Sequence, residues 1–186
     1  MTLFDDFVRQ TCLTTLKCTM ITELDAEALY TTLAQQITDS LGSTEHFALV
    51  GIHSGGAWLA ERLARQLQLT DRLGFVDVSF YRDDFAEKGL RAEVKPTRIP
   101  FEVEGATILL MDDVLFTGRT TRAAINELFD YGRPARIMLA ALVDRGGREL
   151  PVAPDFVGTT VNLDAVQSLT LQQATDGRLS FTVTHA

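Results

Sequence analysis

The sequence predicts an α/β fold, a central and mostly parallel sheet flanked by helices, with a small β-rich hood at the C-terminus. Short apolar runs alternate with helical patterns from residue 24 to residue 143, as strands joined by helical crossovers do. One run, Thr107 to Met111, is almost wholly apolar, as a strand covered on both faces has to be. After Asp144 the pattern changes to short alternating segments at 156–163, 168–173 and 179–184, which make up the hood.

Each element has its own warrant. Leu24, Ala28, Leu29, Leu33, Ile37 and Leu41 recur at helical spacing, so residues 24–41 read as an amphipathic helix, with Asp25 near its start and Gly42 just beyond its end. The apolar run Phe47 to Ile52 leads into His53-Ser54-Gly55-Gly56 and a second helical pattern through Trp58, Leu59, Leu63 and Leu67. That unit is strand, glycine turn, helix. Gly74 to Tyr81 is a second strand, followed by the polar stretch 82–100, a long loop or hairpin ending in Pro96 and Pro100. The strand from Thr107 ends at Asp112 and Asp113, and helix 119–131 and strand 136–143 follow.

With 186 residues, 46% hydrophobic and 23% charged, the chain is long enough for one domain with a sizeable core, and wholesale disorder is excluded. The net charge of −8, with its basic residues scattered, disfavours a general nucleic-acid or anionic-membrane surface. Cys12 and Cys18 lack the paired spacing of a zinc site or disulfide framework and read as reduced. No run approaches the roughly 20 apolar residues of a membrane span, and Asp5, Asp6 and Arg9 do not suit a secretion signal. A cytoplasmic location is the expectation.

The chemistry is expected beyond the carboxyl end of the strand at 107–111, where open parallel sheets bind ligands. Thr117, Gly118, Arg119, Thr120 and Thr121 combine a glycine, three hydroxyl donors and the positive end of a helix, which together cradle one phosphate. Asp112 and Asp113 are placed to hold sugar hydroxyls, directly or through hydrated Mg²⁺. Solvated strand-end charges beside an ordinary turn would explain either half alone, but hardly both together. Neither GxxxxGK[ST] nor GxGxxG occurs.

An acidic pair, a short hydrophobic spacer and Thr-Gly at a helix start resemble the signature of the type I phosphoribosyltransferases. Within them the sequence is similar to the pyrimidine-operon attenuator/uracil phosphoribosyltransferase family at DDVLFTGRT (112–120), YRDD (81–84) and LVDRGGRELP (142–151). The likeness runs from about residue 20 to the end. It implies the type I phosphoribosyltransferase fold over residues 21–186, with a loop at about 82–104 and the hood at about 144–186. Residues 1–20 are an extension, whose Leu3, Phe4, Phe7 and Val8 suggest a helix packed on the domain.

The resemblance implies transfer of a phosphoribosyl group from phosphoribosyl pyrophosphate (PRPP) to uracil, giving UMP and pyrophosphate, with Mg²⁺ as cofactor and a homodimer or larger assembly. Thr117 to Thr121 would hold the 5-phosphate, and Asp112 and Asp113 the ribose hydroxyls. Ser54, Gly55 and Gly56 match the pyrophosphate loop, which in related enzymes often contains a cis peptide. Arg82, on a loop folding over the substrate, is expected to help hold the departing pyrophosphate. Phe116 stands where purine-type relatives carry an aspartate, which disfavours purines and suits a pyrimidine ring. Val114 and Val157 join that base pocket, Phe156 is the stacking candidate, and Arg145 reaches a base carbonyl or pyrophosphate unless it is a surface turn residue.

Two departures qualify the likeness. The attenuator family usually has an arginine where this chain has Gly55. Its RNA-binding role uses basic and histidine side chains on the first helix and near the hood, but residues 25–41 and 156–174 contain no Lys, Arg or His. RNA regulation is therefore expected to be weak or lost.

Overall fold

The computed structural model describes residues 24–41, 47–78, 96–164 and 166–185. Its elements are α1 (Ala26–Leu41), β1 (Phe47–Ile52), α2 (Gly55–Leu67), β2 (Leu73–Val76), β3 (Thr107–Leu115), α3 (Arg119–Asp130), β4 (Arg136–Asp144), β5 (Phe156–Thr160), β6 (Gln167–Gln173) and β7 (Leu179–His185). A five-stranded sheet runs in the order β2-β1-β3-β4-β5, with every neighbouring pair parallel. A separate antiparallel pair is formed by β6 and β7.

The period of the strands divides the core. On β3, Leu109 and Met111 join the cluster under α1 and α2, whereas Ile108 and Leu110 join the one under α3. Alternate residues of a strand point to opposite faces, so helices on both sides require the nearly unbroken apolar run of β3. Tyr30, Leu33 and Ile37 of α1 and Leu59 and Leu63 of α2 are at most 1% exposed. Burying side chains of this size contributes roughly 1.5–3 kcal/mol each. Asp25 starts α1 as expected, its Oδ1 accepting the N–H groups of Glu27 at 3.0 Å and Ala28 at 3.2 Å.

Leu169, Leu171 and Leu179 of the β6–β7 pair bury against the α1/α2 cluster. Glu27 of α1 fastens this seam. One carboxylate oxygen accepts the Leu179 N–H at 2.8 Å and the other pairs with Arg62 at 2.7 Å. Arg62 in turn lies over the Tyr30 ring, 4.3 Å from its centre, and the Tyr30 hydroxyl donates to Gln66 at 2.7 Å. Burial works to raise the Glu27 pKa, but the Leu179 N–H and the Arg62 guanidinium outweigh it and hold the carboxyl below its usual range.

Three boundaries differ from expectation. Residues 156–160, assigned to the hood, form β5 and extend the main sheet beside β4; only the β6–β7 pair stands apart. β3 continues four residues past Met111 to Leu115, so the two aspartates lie inside the strand. β2 stops at Val76; of the rest of the predicted strand, Asp77 and Val78 are not part of it and residues 79–81 lie outside the described residues. Its Phe75 instead bridges antiparallel to Arg98.

Candidate active site

The strand order determines where a ligand fits. From β1 the chain crosses to β2 on one side and later returns to β3 on the other. The helices that follow β1 and β3 lie on opposite faces, α2 in one core cluster and α3 in the other. At such a switch point the loops after the two strands diverge and leave a crevice at their carboxyl ends. The glycine turn at 53–56 forms one wall and residues 112–121 the other.

The walls meet closely at the base. A Cβ on Gly55 would lie 2.4 Å from the Asp113 carboxyl carbon, and one on Gly56 would lie 2.2 Å from the Met111 carbonyl oxygen. Only residues without a side chain allow this approach. Gly55 is therefore the residue against which the Asp113 carboxylate rests, and its presence reflects the packing of the acidic pair as much as any loss of charge from the turn. The His53–Ser54 peptide is cis. Ser54 precedes α2 without a side-chain capping bond.

Asp112 and Asp113 are only 5% and 7% exposed. Asp112 Oδ1 accepts the Asp113 N–H at 3.0 Å, which fixes the Asp112 carboxylate. Beyond them Gly118, with φ of 93°, turns the chain into α3 through a conformation that side chains disfavour. Thr117 is buried, and its Oγ1 accepts the Arg119 N–H at 3.2 Å. The N–H groups of Thr120 and Thr121 make no backbone hydrogen bond among the described residues, as the first turn of a helix leaves them. The Thr121 hydroxyl is buried and has no partner there either. Together these donors suit an anion, and leaving such a hydroxyl unpaired costs roughly 1–3 kcal/mol.

Not every predicted residue joins the crevice by its side chain. The Arg119 guanidinium pairs with Glu149 at the surface, and its N–H is the one given to Thr117 Oγ1. Val114 packs partly buried against the α1/α2 core. Phe116 lies under the Arg145 guanidinium, 3.8 Å from ring centre to Cζ. Phe156, expected to stack on a base, sits at the start of β5 opposite Ala140 and packs against the α1/α2 core; Val157 is next to it, opposite Ala141. Arg82 and the YRDD segment lie outside the described residues, as do residues 1–20.

The segment 145–152 contributes more than was expected of it. The Arg145 N–H donates to Leu115 O at 3.1 Å, and the Glu149 and Leu150 N–H groups donate to Thr117 O at 3.0 and 3.1 Å. Its arginines beside paired glycines were a visible signal, but partners thirty residues away in sequence were not.

Among the described residues no group of three His, Cys, Asp or Glu side chains could hold a metal alone. The paired carboxylates of Asp112 and Asp113 do fit a hard dication that keeps water or ligand oxygens as its other donors.

A doubly wound sheet with an acidic pair and a helix-start anion cradle at its switch point defines a phosphoribosyltransferase, and the sequence profile of the phosphoribosyl transferase domain matches residues 19–173. The chain belongs to that family, and within it is PyrR-like. It is 54% identical over 165 residues to the bifunctional protein PyrR of Ralstonia nicotianae, covering 86% of this chain and 94% of that protein. To the bifunctional protein PyrR of Nitrosococcus oceani it is 49% identical over 144 residues, covering 75% and 81%. Among solved structures, the hypoxanthine phosphoribosyltransferase of Trypanosoma cruzi shares the fold with a TM-score of 0.55 at 20% identity, over 75% of this chain and 81% of that one. A purine phosphoribosyltransferase of Pyrococcus horikoshii gives 0.52 at 25% identity, over 74% and 83%.

Proposed function

We propose that this protein transfers the phosphoribosyl group of PRPP to uracil, forming UMP and releasing pyrophosphate. The observation that carries the proposal is the buried Asp112–Asp113 pair, set between a glycine turn and an open anion cradle at the start of α3. In the reaction the bond from ribose C1 to the pyrophosphate oxygen breaks, the bond from C1 to uracil N1 forms, and the N1 proton leaves.

The chain's own residues act by position and charge. The Thr120 and Thr121 N–H groups and hydroxyls hold the 5-phosphate, while Asp112 and Asp113 orient the ribose hydroxyls and favour positive charge developing at C1. Ser54 to Gly56 present backbone to the pyrophosphate. Asp112 and Asp113 would also hold Mg²⁺ through ribose or water, and the ion would neutralise charge on the leaving pyrophosphate. No covalent nucleophile is needed. Phe116 under Arg145 supplies a flat wall for a pyrimidine, a place for which Phe156 is less suited by its packing.

Incubation with PRPP, Mg²⁺ and each free base, scoring the nucleotide formed, tests the assignment. Uracil is expected to react best; preference for guanine or hypoxanthine would sink the pyrimidine reading. The alternative, control of pyrimidine-operon RNA, rests on the family likeness and on the name of the relatives. Against it, α1 has no cationic side chain. Leader RNA is expected to bind weakly, and a salt-dependent, sequence-specific shift at submicromolar protein would establish regulation instead. A homodimer or larger assembly is expected, and sedimentation would measure it.

A further inference from the structure

The carbonyls of Leu115 and Phe116, in the spacer between the acidic pair and the phosphate cradle, and that of Thr117, the first cradle residue, turn toward the segment 144–152, and one side chain there meets more of them than any backbone group does. Arg148 Nη1 donates to Phe116 O at 2.6 Å, Leu115 O at 3.3 Å and Gly146 O at 3.4 Å. Its Nη2 donates to Asp144 Oδ2 at 2.7 Å and its Nε to Val152 O at 3.1 Å. A guanidinium has five N–H donors in a rigid fork. Here there are five acceptors, all from the protein. Three of them share the two N–H groups of Nη1, and Nη2 and Nε have one each, so every nitrogen of the fork is engaged with the protein and a ligand-binding role is the poorer reading of this arginine.

The acceptors define what Arg148 does. Leu115 and Phe116 follow the acidic pair after Val114 and precede Thr117. Val152, which the same guanidinium holds, lies against Gly118, where a Cβ would be 3.2 Å from Val152 Cγ2. The other edge of the spacer is pressed by Gly147, where a Cβ would be 2.5 Å from the Phe116 ring. The cradle therefore rests on a platform whose central fastening is Arg148, and Asp144 at the end of β4 keeps the guanidinium in place.

We infer that Arg148 is a positioning residue for phosphoribosyl transfer: by binding the carbonyls of Leu115 and Phe116 it sets the spacing between the Asp112–Asp113 pair and the Thr117–Thr121 cradle. The inference rests on the phosphoribosyl-transfer reading of the site. PRPP, which spans both parts, should sense the change more than uracil, which meets the spacer only at the Phe116 wall.

The test uses the full chain and compares Arg148→Met, Arg148→Lys and Asp144→Asn with the unaltered protein. Calorimetry with PRPP and Mg²⁺ gives its affinity, steady-state kinetics give the two KM values, and thermal unfolding is followed alongside. Loss of charge-assisted bonds to the spacer predicts PRPP Kd and KM raised about tenfold in Arg148→Met, with a clearly smaller rise in the KM for uracil. Arg148→Lys should recover only part of this, because one ammonium cannot span the same acceptors, and Asp144→Asn should show a smaller effect of the same kind. PRPP affinity within twofold of the unaltered protein in Arg148→Met, or equal rises in both KM values, would overturn the inference. If Arg148→Met does not fold, Arg148→Lys and Asp144→Asn decide by the same split. If the unaltered protein makes no UMP, the uracil assignment fails, and PRPP calorimetry still reads Arg148.

Discussion

The two walls of the crevice are held in place by different means. The turn at 53–56 is set by contact, with Gly55 and Gly56 against Asp113 and Met111, so its position depends on atoms that are absent. The loop at 115–121 is set by hydrogen bonds from the segment 145–152, so its position depends on donors that are present. A close contact resists any added atom abruptly, whereas a tethered loop gives way by degrees. Substitutions on the first wall should act as steps and those on the second as gradations.

The largest effect should come from the floor that both walls share. Asp112→Asn with Asp113→Asn is expected to lower kcat by about a thousandfold or more, with a circular dichroism spectrum like that of the parent. Wild-type kinetics in the double variant would remove the proposed site altogether. Next comes the contact wall. Gly55→Ala must displace Asp113, and overpacking of this kind costs about 1–3 kcal/mol, so turnover should fall by tens-fold while Ser54→Ala, which loses no capping bond, changes it little. Equal losses in the two variants, measured by steady-state kinetics, would break the distinction between the walls.

On the tethered wall stability and affinity should move in opposite directions. Thr121→Val removes a buried hydroxyl that has no partner among the described residues, so the unliganded protein should become more stable by up to about 1 kcal/mol in urea unfolding. PRPP should nevertheless bind more weakly. A variant losing both would show that the hydroxyl is already satisfied.

The smallest effect lies away from the crevice and serves as its control. The Glu27 pKa is depressed in the fold, so its contribution is present above the unfolded value of about 4.5 and is lost as pH falls through the lower folded value. Glu27→Gln should cost about 1 kcal/mol at pH 7 and should lose less stability than the parent between pH 5 and pH 3. Thermal unfolding across that range measures it, and PRPP affinity at pH 7 should not change.

The sequence made the site's chemistry more legible than its supports. An apolar run ending in two aspartates and Thr-Gly states its character locally, because strand burial, carboxylate chemistry and helix-start geometry all depend on neighbours in the chain. The length of β3 was harder, since Asp usually ends a strand and here two are carried into it by pairing with β4 through Leu115. β5 was grouped with the hood because five residues with Thr and Gly carry no mark of which sheet they will join. The surroundings of Phe156 were hidden for the same reason, since they depend on register with Ala140. Gly55 looked like a missing arginine until the position of Asp113 showed what a side chain would meet there.

The bond from Leu179 to Glu27 joins residues 152 apart in sequence. α1 precedes all the described strands in the chain, and β7, which completes its seam, follows them all, so the apolar face of α1 is made well before Leu179 can cover it. Loss of the final strand should therefore be felt at the other end of the chain, as aggregation through α1, before any change reaches the crevice.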